Sequence, residues 1–137
     1  MSTRSNIIVV KSDGALDQFY HHCDGYLYGV GEELRKKMIY SIGMNHFIKD
    51  VPPEDILDGE LMDTSGYEYE HDLSLNGCNS LHADIEYLYI IKDCNLYYVH
   101  AWGLYERVNT NSELLDFVCK DENLLPLDKP IKRGDNR

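Results

Sequence analysis

With 137 residues, the chain is long enough to bury a core without metal or disulfide support and short enough to form one domain. Its net charge of −11 produces a field that repels nucleic acid, so we predict no direct contact with nucleic acid. No apolar segment has the length of a membrane span or the position of a secretion signal, which predicts a soluble cytoplasmic protein without membrane contact.

The first residues predict a β-hairpin followed by a helix. Residues 6–11 are a short apolar run, residues 12–14 have turn chemistry, and residues 18–23 resume a strand pattern with aromatic side chains. From Val30 onward the apolar residues follow a helical period, with glutamates at its start and lysines later. Gly43 is a typical helix stop and is predicted to end it.

The middle of the chain predicts a short helix and an acidic strand. The helix begins at Pro52, and residues 63–66 close it. In residues 67–72, aromatic and acidic side chains alternate with the two-residue period of a strand, which puts the acids together on one outer face. The residues predicted to contact a partner lie in this strand and after it: Tyr67, Glu68, Tyr69, Glu70, Asp72, Asp84 and Glu86.

The last third of the chain predicts a second hairpin and a final helix. Residues 85–91 are apolar on both faces, which indicates a central strand, and a tight turn at residues 93–95 connects them to residues 96–102. Residues 105–108 have the pattern of an additional strand. A capping box that begins at Thr110 starts the last helix.

Together these elements predict an α+β fold. Two or three helices are expected on one face of a mainly antiparallel sheet, which consists of two hairpins and the acidic strand. The predicted domain covers residues 1–125. Residues 126–137 are polar and basic and contain two prolines, so we predict a flexible C-terminal tail.

The negative charge is concentrated in one third of the chain. Residues 50–93 carry twelve acids and the single base Lys92, whereas the remaining residues carry acids and bases in equal number. A field of one sign steers partners of the opposite sign toward a surface, so we expect a basic protein or nucleoprotein surface as the partner. The eleven tyrosines fit a protein interface, but their β propensity favours the interpretation that they fill strand positions. The oligomeric state is left open.

The densest group of candidate functional residues is a glycine-rich loop between the first hairpin and the first helix. Its glycines supply turns that need positive φ or close backbone approach, and the Asp24 carboxylate can accept hydrogen bonds there. We interpret the loop as structural. The alternative is a phosphate cradle at the helix N-terminus, although Glu32 and Glu33 would repel a phosphate. The residues of this motif loop are His22, Asp24, Gly25, Tyr26, Gly29 and Gly31.

A second candidate is the segment that contains His82, Asp84 and Glu86, whose side chains share one face if the segment is extended. Such a face could hold a hard metal ion for phosphodiester hydrolysis. We favour a solvated strand end, because a nuclease needs bases around its substrate and this segment is acidic. Residues 21–24 cannot bring four ligands together for zinc, since neighbouring strand residues point to opposite faces.

We therefore predict no metal, no cofactor and no catalytic residues. No nucleophile or metalloprotease motif is present in the sequence. The four cysteines are scattered without a CxxC pair, which is typical of reduced thiols in a cytosolic protein.

Two segments resemble a family of small uncharacterised proteins of bacteriophages and prophages. They are residues 22–34, with the pattern HxDGYxxGVGxxL, and residues 84–90, DIEYLYI. Cys23 stands where that family usually has an aromatic residue, and Leu27 stands where proline is common. The family has no assigned activity. The resemblance implies a shared fold and a phage accessory gene, and products of such genes often counter host defences.

Charge and resemblance together predict a phage-type accessory interaction protein in the host cytoplasm. It would inhibit a host defence machine that handles nucleic acid, as anti-CRISPR or anti-restriction proteins do, and would not be an enzyme. The alternative hypothesis is a metal-dependent phosphodiesterase that uses the His82 segment, or a nucleotide-binding protein that uses the motif loop.

Overall fold

The computed structural model describes residues 3–10, 14, 16–44, 67–73, 85–102 and 104–134. Six strands form one sheet in the order β3-β2-β1-β4-β5-β6. Their bounds are β1 Ser5–Val10, β2 Leu16–His21, β3 Tyr67–Leu73, β4 Tyr87–Lys92, β5 Asn95–His100 and β6 Leu124–Leu125. The central pair, β1 and β4, is parallel, and the other adjacent pairs are antiparallel.

Three α-helices accompany the sheet in the described part of the chain. They are α1 Glu32–Met44, α2 Leu104–Arg107 and α3 Asn111–Val118. A π-helical turn, Leu27–Gly31, leads directly into α1, and a 3-10 turn, Asp121–Asn123, precedes β6. The short helix predicted from Pro52 lies outside the described residues.

The predicted α+β fold with a mainly antiparallel sheet is confirmed, and so are both hairpins. Residues of β1 pair with β2 from Ser5↔His21 to Val10↔Leu16, and β4 pairs with β5 through a two-residue turn. The helix start predicted at Thr110 is also present: its Oγ1 accepts a hydrogen bond from the Glu113 backbone N–H at 3.1 Å, and the Glu113 carboxylate accepts from the Asn109 N–H at 3.0 Å.

The prediction that places all helices on one face of the sheet needs correction. On one face, which we call the α1 face, Leu34 and Met38 pack against Ile7, Tyr89 and neighbouring strand residues. On the opposite face, the α3 face, a separate cluster contains these residues: Ile8, Tyr20, Leu88, Ile90, Leu104, Leu114 and Val118. Alternate residues of a strand point to opposite faces of the sheet. In β1 and β4, apolar residues occupy both sets of positions because both faces of the sheet are covered.

The additional strand predicted for residues 105–108 is a short helix instead. Leu104 and Val108 are both buried on the α3 face, and the Val108 N–H donates to the Leu104 carbonyl at 3.2 Å. This four-residue spacing brings two apolar side chains to the same side of one helical turn. In a strand, the residue midway between them would share the same face and would also have to be buried.

The turn between β4 and β5 has both central residues in the left-handed region. Asp93 has φ of 51° and Cys94 has φ of 63°. Two positive φ values are the signature of the turn type whose twist matches a two-residue hairpin, and glycine is preferred at its second central position. We therefore predict that Cys94→Gly raises the free energy of unfolding by about 1 kcal/mol, because it removes the side-chain cost of that conformation.

Urea denaturation of the parent and the Cys94→Gly protein measures this difference. Cys94→Ala is the matched control, since it removes the thiol and keeps the β-carbon. An alanine variant as stable as the glycine variant would contradict an origin in the backbone.

The C-terminal residues do not form the flexible tail predicted from residue 126, as far as residue 134 is described. Ile131 is buried on the α1 face, and its backbone N–H donates to Glu32 Oε1 at 3.2 Å. Arg35 pairs with Glu32 through two nitrogens and donates from Nη1 to the Leu127 carbonyl at 2.7 Å. The mostly polar composition of the segment does not predict this attachment, because only two apolar residues and one ion pair are needed to fix the segment. We call Glu32, Arg35, Leu127 and Ile131 the tail clamp.

Acid should weaken the tail clamp. Burial raises the pKa of Glu32, but hydrogen bonds from Arg35 and from the Ile131 N–H, together with the Arg35 charge, outweigh it and leave the pKa below its ordinary value. A lowered pKa in the folded state means that Glu32 stabilises the fold above the unfolded-state pKa of about 4.5, and that this stability is lost as pH falls through the folded-state value.

We expect Glu32→Gln to reduce the slope of stability against pH below about pH 4.5, relative to the parent protein. Denaturant titrations at several pH values between 3 and 7 measure the slope. The variant Asp116→Asn, which removes one exposed carboxylate outside the tail clamp, is the control. Identical slopes in the parent and the Glu32→Gln protein would contradict the role assigned to this carboxylate.

Candidate functional site

The acidic strand predicted from the sequence is β3, which lies at one edge of the sheet formed by the described strands. Its register with β2 aligns Glu68 with Tyr20 and Glu70 with Gln18. Tyr20 and Gln18 are buried, so the face of β2 beside these acids is covered. The outer edge of β3 faces away from β2, and no further described strand pairs with it.

Glu86, another predicted partner-binding residue, lies away from β3 in the sheet. Glu86 lies just before β4, where its N–H donates to the Arg4 carbonyl at 2.9 Å and its carbonyl accepts from Ala101 at 2.9 Å. Between β3 and β4 lie β2 and β1, which at three strand spacings puts the two strands about 14 Å apart. His82 and Asp84 lie outside the described residues.

The motif loop is built by close backbone packing. Tyr89, fully buried on the α1 face, donates from its hydroxyl to the Gly25 carbonyl at 2.6 Å. A β-carbon on Gly25 would lie 2.8 Å from the Ser5 side chain, and one on Gly29 would overlap the Asp24 carbonyl oxygen. Neither contact is possible for a larger residue without a shift of the loop. These glycines therefore hold the loop against β1 and against itself.

Asp24 is the other special backbone position in the motif loop, with φ of 56°. Its carbonyl accepts from Val30 N–H at 2.8 Å, and its carboxylate accepts from the Tyr26 hydroxyl at 3.2 Å. The hydrogen bond to this carboxylate, with its negative charge, raises the pKa of Tyr26. Asp24 thus closes the loop with both its main chain and its side chain.

Several backbone N–H groups of the motif loop and of Glu32 already donate within the protein. Gly25 donates to Thr3, Gly29 and Gly31 donate to the Tyr26 carbonyl, and Glu32 donates to carbonyls of the π-helical turn. An anion cradle requires free N–H groups at a helix start. This geometry favours the structural interpretation of the loop over a nucleotide site.

His22 bonds to residues outside the motif loop. Its Nδ1 lies 3.0 Å from the Tyr20 hydroxyl, and Arg4 donates to the same nitrogen at 3.4 Å. The described partners of His22 therefore lie outside the motif loop, whereas Asp24 bonds to Tyr26 and Val30 within the segment that it closes. Within the described residues, no group of three or more histidine, cysteine or acidic side chains is arranged to hold a metal ion.

Two cysteine thiols are held in the protonated form. Burial, with a smaller contribution from the Asp93 charge, raises the pKa of Cys94. Burial raises the pKa of Cys119 to about 11. Thiolates are the reactive form of cysteine, so neither residue is placed to act as a nucleophile.

The structure also contains a cleft that sequence reasoning missed. It lies beside the end of β5, has a volume of about 400 Å³, and is lined by residues that include Tyr98, His100, Arg107, Phe117, Lys120 and Glu122. We call it the β5 cleft. Its residues come from β5, from α2 and from the region around the end of α3, so no local spacing reveals them. The only signal in the sequence is that two basic residues, Arg107 and Lys120, stand before and after the aromatic Phe117.

The geometry defines the class of protein only as a small α+β domain with a mainly antiparallel sheet. None of the known protein families, curated proteins or solved structures matches the chain. No helix among the described residues is long and apolar enough to cross a membrane.

Proposed function

We propose that this protein is a phage-type accessory protein that binds a basic surface of a host protein or nucleoprotein and inhibits a machine that handles nucleic acid. Anti-CRISPR and anti-restriction proteins act in this way. The observation that carries the proposal is the position of β3 at the edge of the sheet. Among the described strands, none pairs with the outer edge of β3, so the most regular acidic pattern of the chain lies at an edge that a partner could use.

Charge supports the proposed partner. Lysine and arginine side chains that bind phosphates also attract carboxylates, so an acidic protein can compete with nucleic acid for them. The edge strand carries Glu68, Glu70 and Asp72, and it belongs to the segment 50–93 that contains the whole net charge. Charged side chains on an edge strand also discourage pairing with other strands, which favours electrostatic docking over strand addition at β3.

The size of the proposed interface fits the sheet. A standard interface covers about 800 Å² on each partner, which is wide enough to span β3 and the start of β4, about 14 Å away. Glu86 is half-buried at that position. Because Tyr20 and Gln18 of β2 are buried between them, we propose β3 as the main contact and Glu86 as a residue at the margin of the interface.

We predict that reversing Glu68, Glu70 and Asp72 to lysine slows association with the partner by about tenfold or more at low salt, because steering depends on the local field. The partner is first captured from a bacterial lysate on immobilised parent protein and identified. Association rates are then measured at two ionic strengths, and displacement of nucleic acid from the partner is measured in parallel.

The matched control reverses Asp116, Asp121 and Asp128, three exposed acids outside β3, and changes the net charge by the same amount. We expect a clearly smaller effect from it. Equal association rates for the parent and the β3 variant would contradict the proposal, and so would a partner that keeps its nucleic acid when saturated with this protein.

A further inference from the structure

The β5 cleft lies where β6 stops covering β5. Among the described residues, β6 pairs only with Leu96 and Tyr97 of β5. The chain before β6 leaves the sheet as the 3-10 turn Asp121–Asn123 instead of continuing along β5. Residues 98–100 therefore extend past β6, and the cleft occupies the gap beside them.

Backbone groups of β5 point into this gap. Ala101 donates its N–H toward β4, to the Glu86 carbonyl at 2.9 Å. In an antiparallel ladder, successive residues direct their N–H and C=O groups to opposite sides of the strand. The N–H and C=O of His100 therefore face the edge beyond β6, where an added strand finds hydrogen-bonding groups.

The cleft has a local positive charge in a strongly acidic protein. The guanidinium of Arg107 lies 6.0 Å from the centre of the Phe117 ring, and the Lys120 ammonium lies 5.5 Å from it. Both cations are exposed, and neither forms an ion pair with any residue that the structure describes. Glu122 is the acid that lines the cleft. The ring holds the two cations beside the open end of β5.

A large apolar side chain lies beyond the same end of β5. Trp102, the single tryptophan of the chain, is 76% exposed two residues after His100. Exposed tryptophan is enriched at the centres of protein interfaces. A ligand that lies alongside β5 and extends past His100 would contact Trp102.

We propose that the β5 cleft binds an extended acidic peptide segment of another protein, added as a short strand to β5 beyond β6. The peptide backbone pairs with the edge of β5, and its carboxylates contact Arg107 and Lys120. The open strand edge favours a polypeptide over a free anion, because a free anion would use only the two cations. This binding does not depend on the role of β3.

The probe is a labelled five-residue peptide that alternates glutamate and valine, with both ends blocked. Its binding is followed by fluorescence anisotropy and by the emission of Trp102. We expect saturable binding to the parent chain, although the net charge of the chain repels an acidic ligand. The double variant Arg107→Gln/Lys120→Gln should bind at least about tenfold more weakly, as expected for loss of two charged hydrogen-bond donors.

The control variant Lys36→Gln/Lys129→Gln removes two exposed cations outside the cleft and changes the net charge equally. It should bind as the parent does or slightly more weakly. A peptide with N-methylated backbone amides keeps the carboxylates but cannot pair as a strand, and we expect its affinity to fall by about tenfold or more.

Four outcomes would overturn the proposal. They are no saturable binding, equal losses in the cleft and control variants, equal affinity of the N-methylated peptide, and competition by free glutamate at the concentration of the peptide. Sedimentation velocity adds a fifth: self-association that the cleft variant abolishes would assign the cleft to a second copy of this chain instead.

Discussion

Arg35→Ala is expected to lower the free energy of unfolding by about 3 kcal/mol, because it leaves Glu32 buried without its partner. Both side chains of the pair are almost fully buried, and Arg35 also donates to the Leu127 carbonyl. The same substitution should release the C-terminal segment. Urea denaturation measures the stability, and amide hydrogen exchange at Ile131 measures the release, since its N–H donates to Glu32.

Two variants isolate the cause. Lys36→Ala changes an exposed residue next to Arg35 on α1, and we expect a change within about 0.5 kcal/mol. The double variant Glu32→Leu/Arg35→Met removes both charges, and it should be more stable than Arg35→Ala because no lone charge stays buried. A double variant that is less stable than the single one would show that the ion pair is not the source of the loss.

Gly29→Ala should destabilise the fold by at least about 2 kcal/mol, even though alanine is the smallest possible addition. Its β-carbon would overlap the Asp24 carbonyl oxygen, which also accepts the hydrogen bond from Val30. The loop can relieve this overlap only by moving the main chain, which adds the loss of that hydrogen bond to the cost of overpacking. Thermal and urea denaturation measure the loss.

Two other glycines provide graded controls for Gly29→Ala. At Gly31 a β-carbon would lie 3.2 Å from the Tyr89 ring, which can shift slightly, so we expect Gly31→Ala to cost clearly less. At Gly14 nothing lies within 4 Å, and only the positive φ of 87° opposes a side chain. Gly14→Ala should therefore cost about 1 kcal/mol. A Gly29→Ala protein as stable as the Gly14→Ala protein would contradict the overlap.

The parts of the fold that the sequence predicts well are those set by neighbouring residues. The hairpin turn at Asp93, the cap at Thr110 and the helix that follows the glycine-rich loop each depend on a few adjacent side chains. The placement of helices on both faces could not be predicted in this way. It depends on which strands become central, and the apolar run 85–91 indicates burial on two faces without showing what covers each one.

Long-range contacts explain the remaining differences. Ile131 is one apolar residue in a polar segment, and its burial depends on Glu32, 99 positions earlier. The β5 cleft joins residues from separate elements, none of which is unusual in its own neighbourhood. For β3, the alternation of acids predicts a strand, but its position at the edge depends on the order of all six strands.

The parallel contact at the centre of the sheet also affects how this chain can be made. In that contact Ile7 lies opposite Tyr89, although they are 82 positions apart in the sequence. During synthesis the first hairpin leaves the ribosome with one side of β1 uncovered, and it stays so until β4 has followed. Contacts between such distant residues form slowly, because the ends of a long loop must meet first. A nascent chain halted before residue 85 would therefore expose the apolar edge of β1 to chaperones and to other unfinished chains.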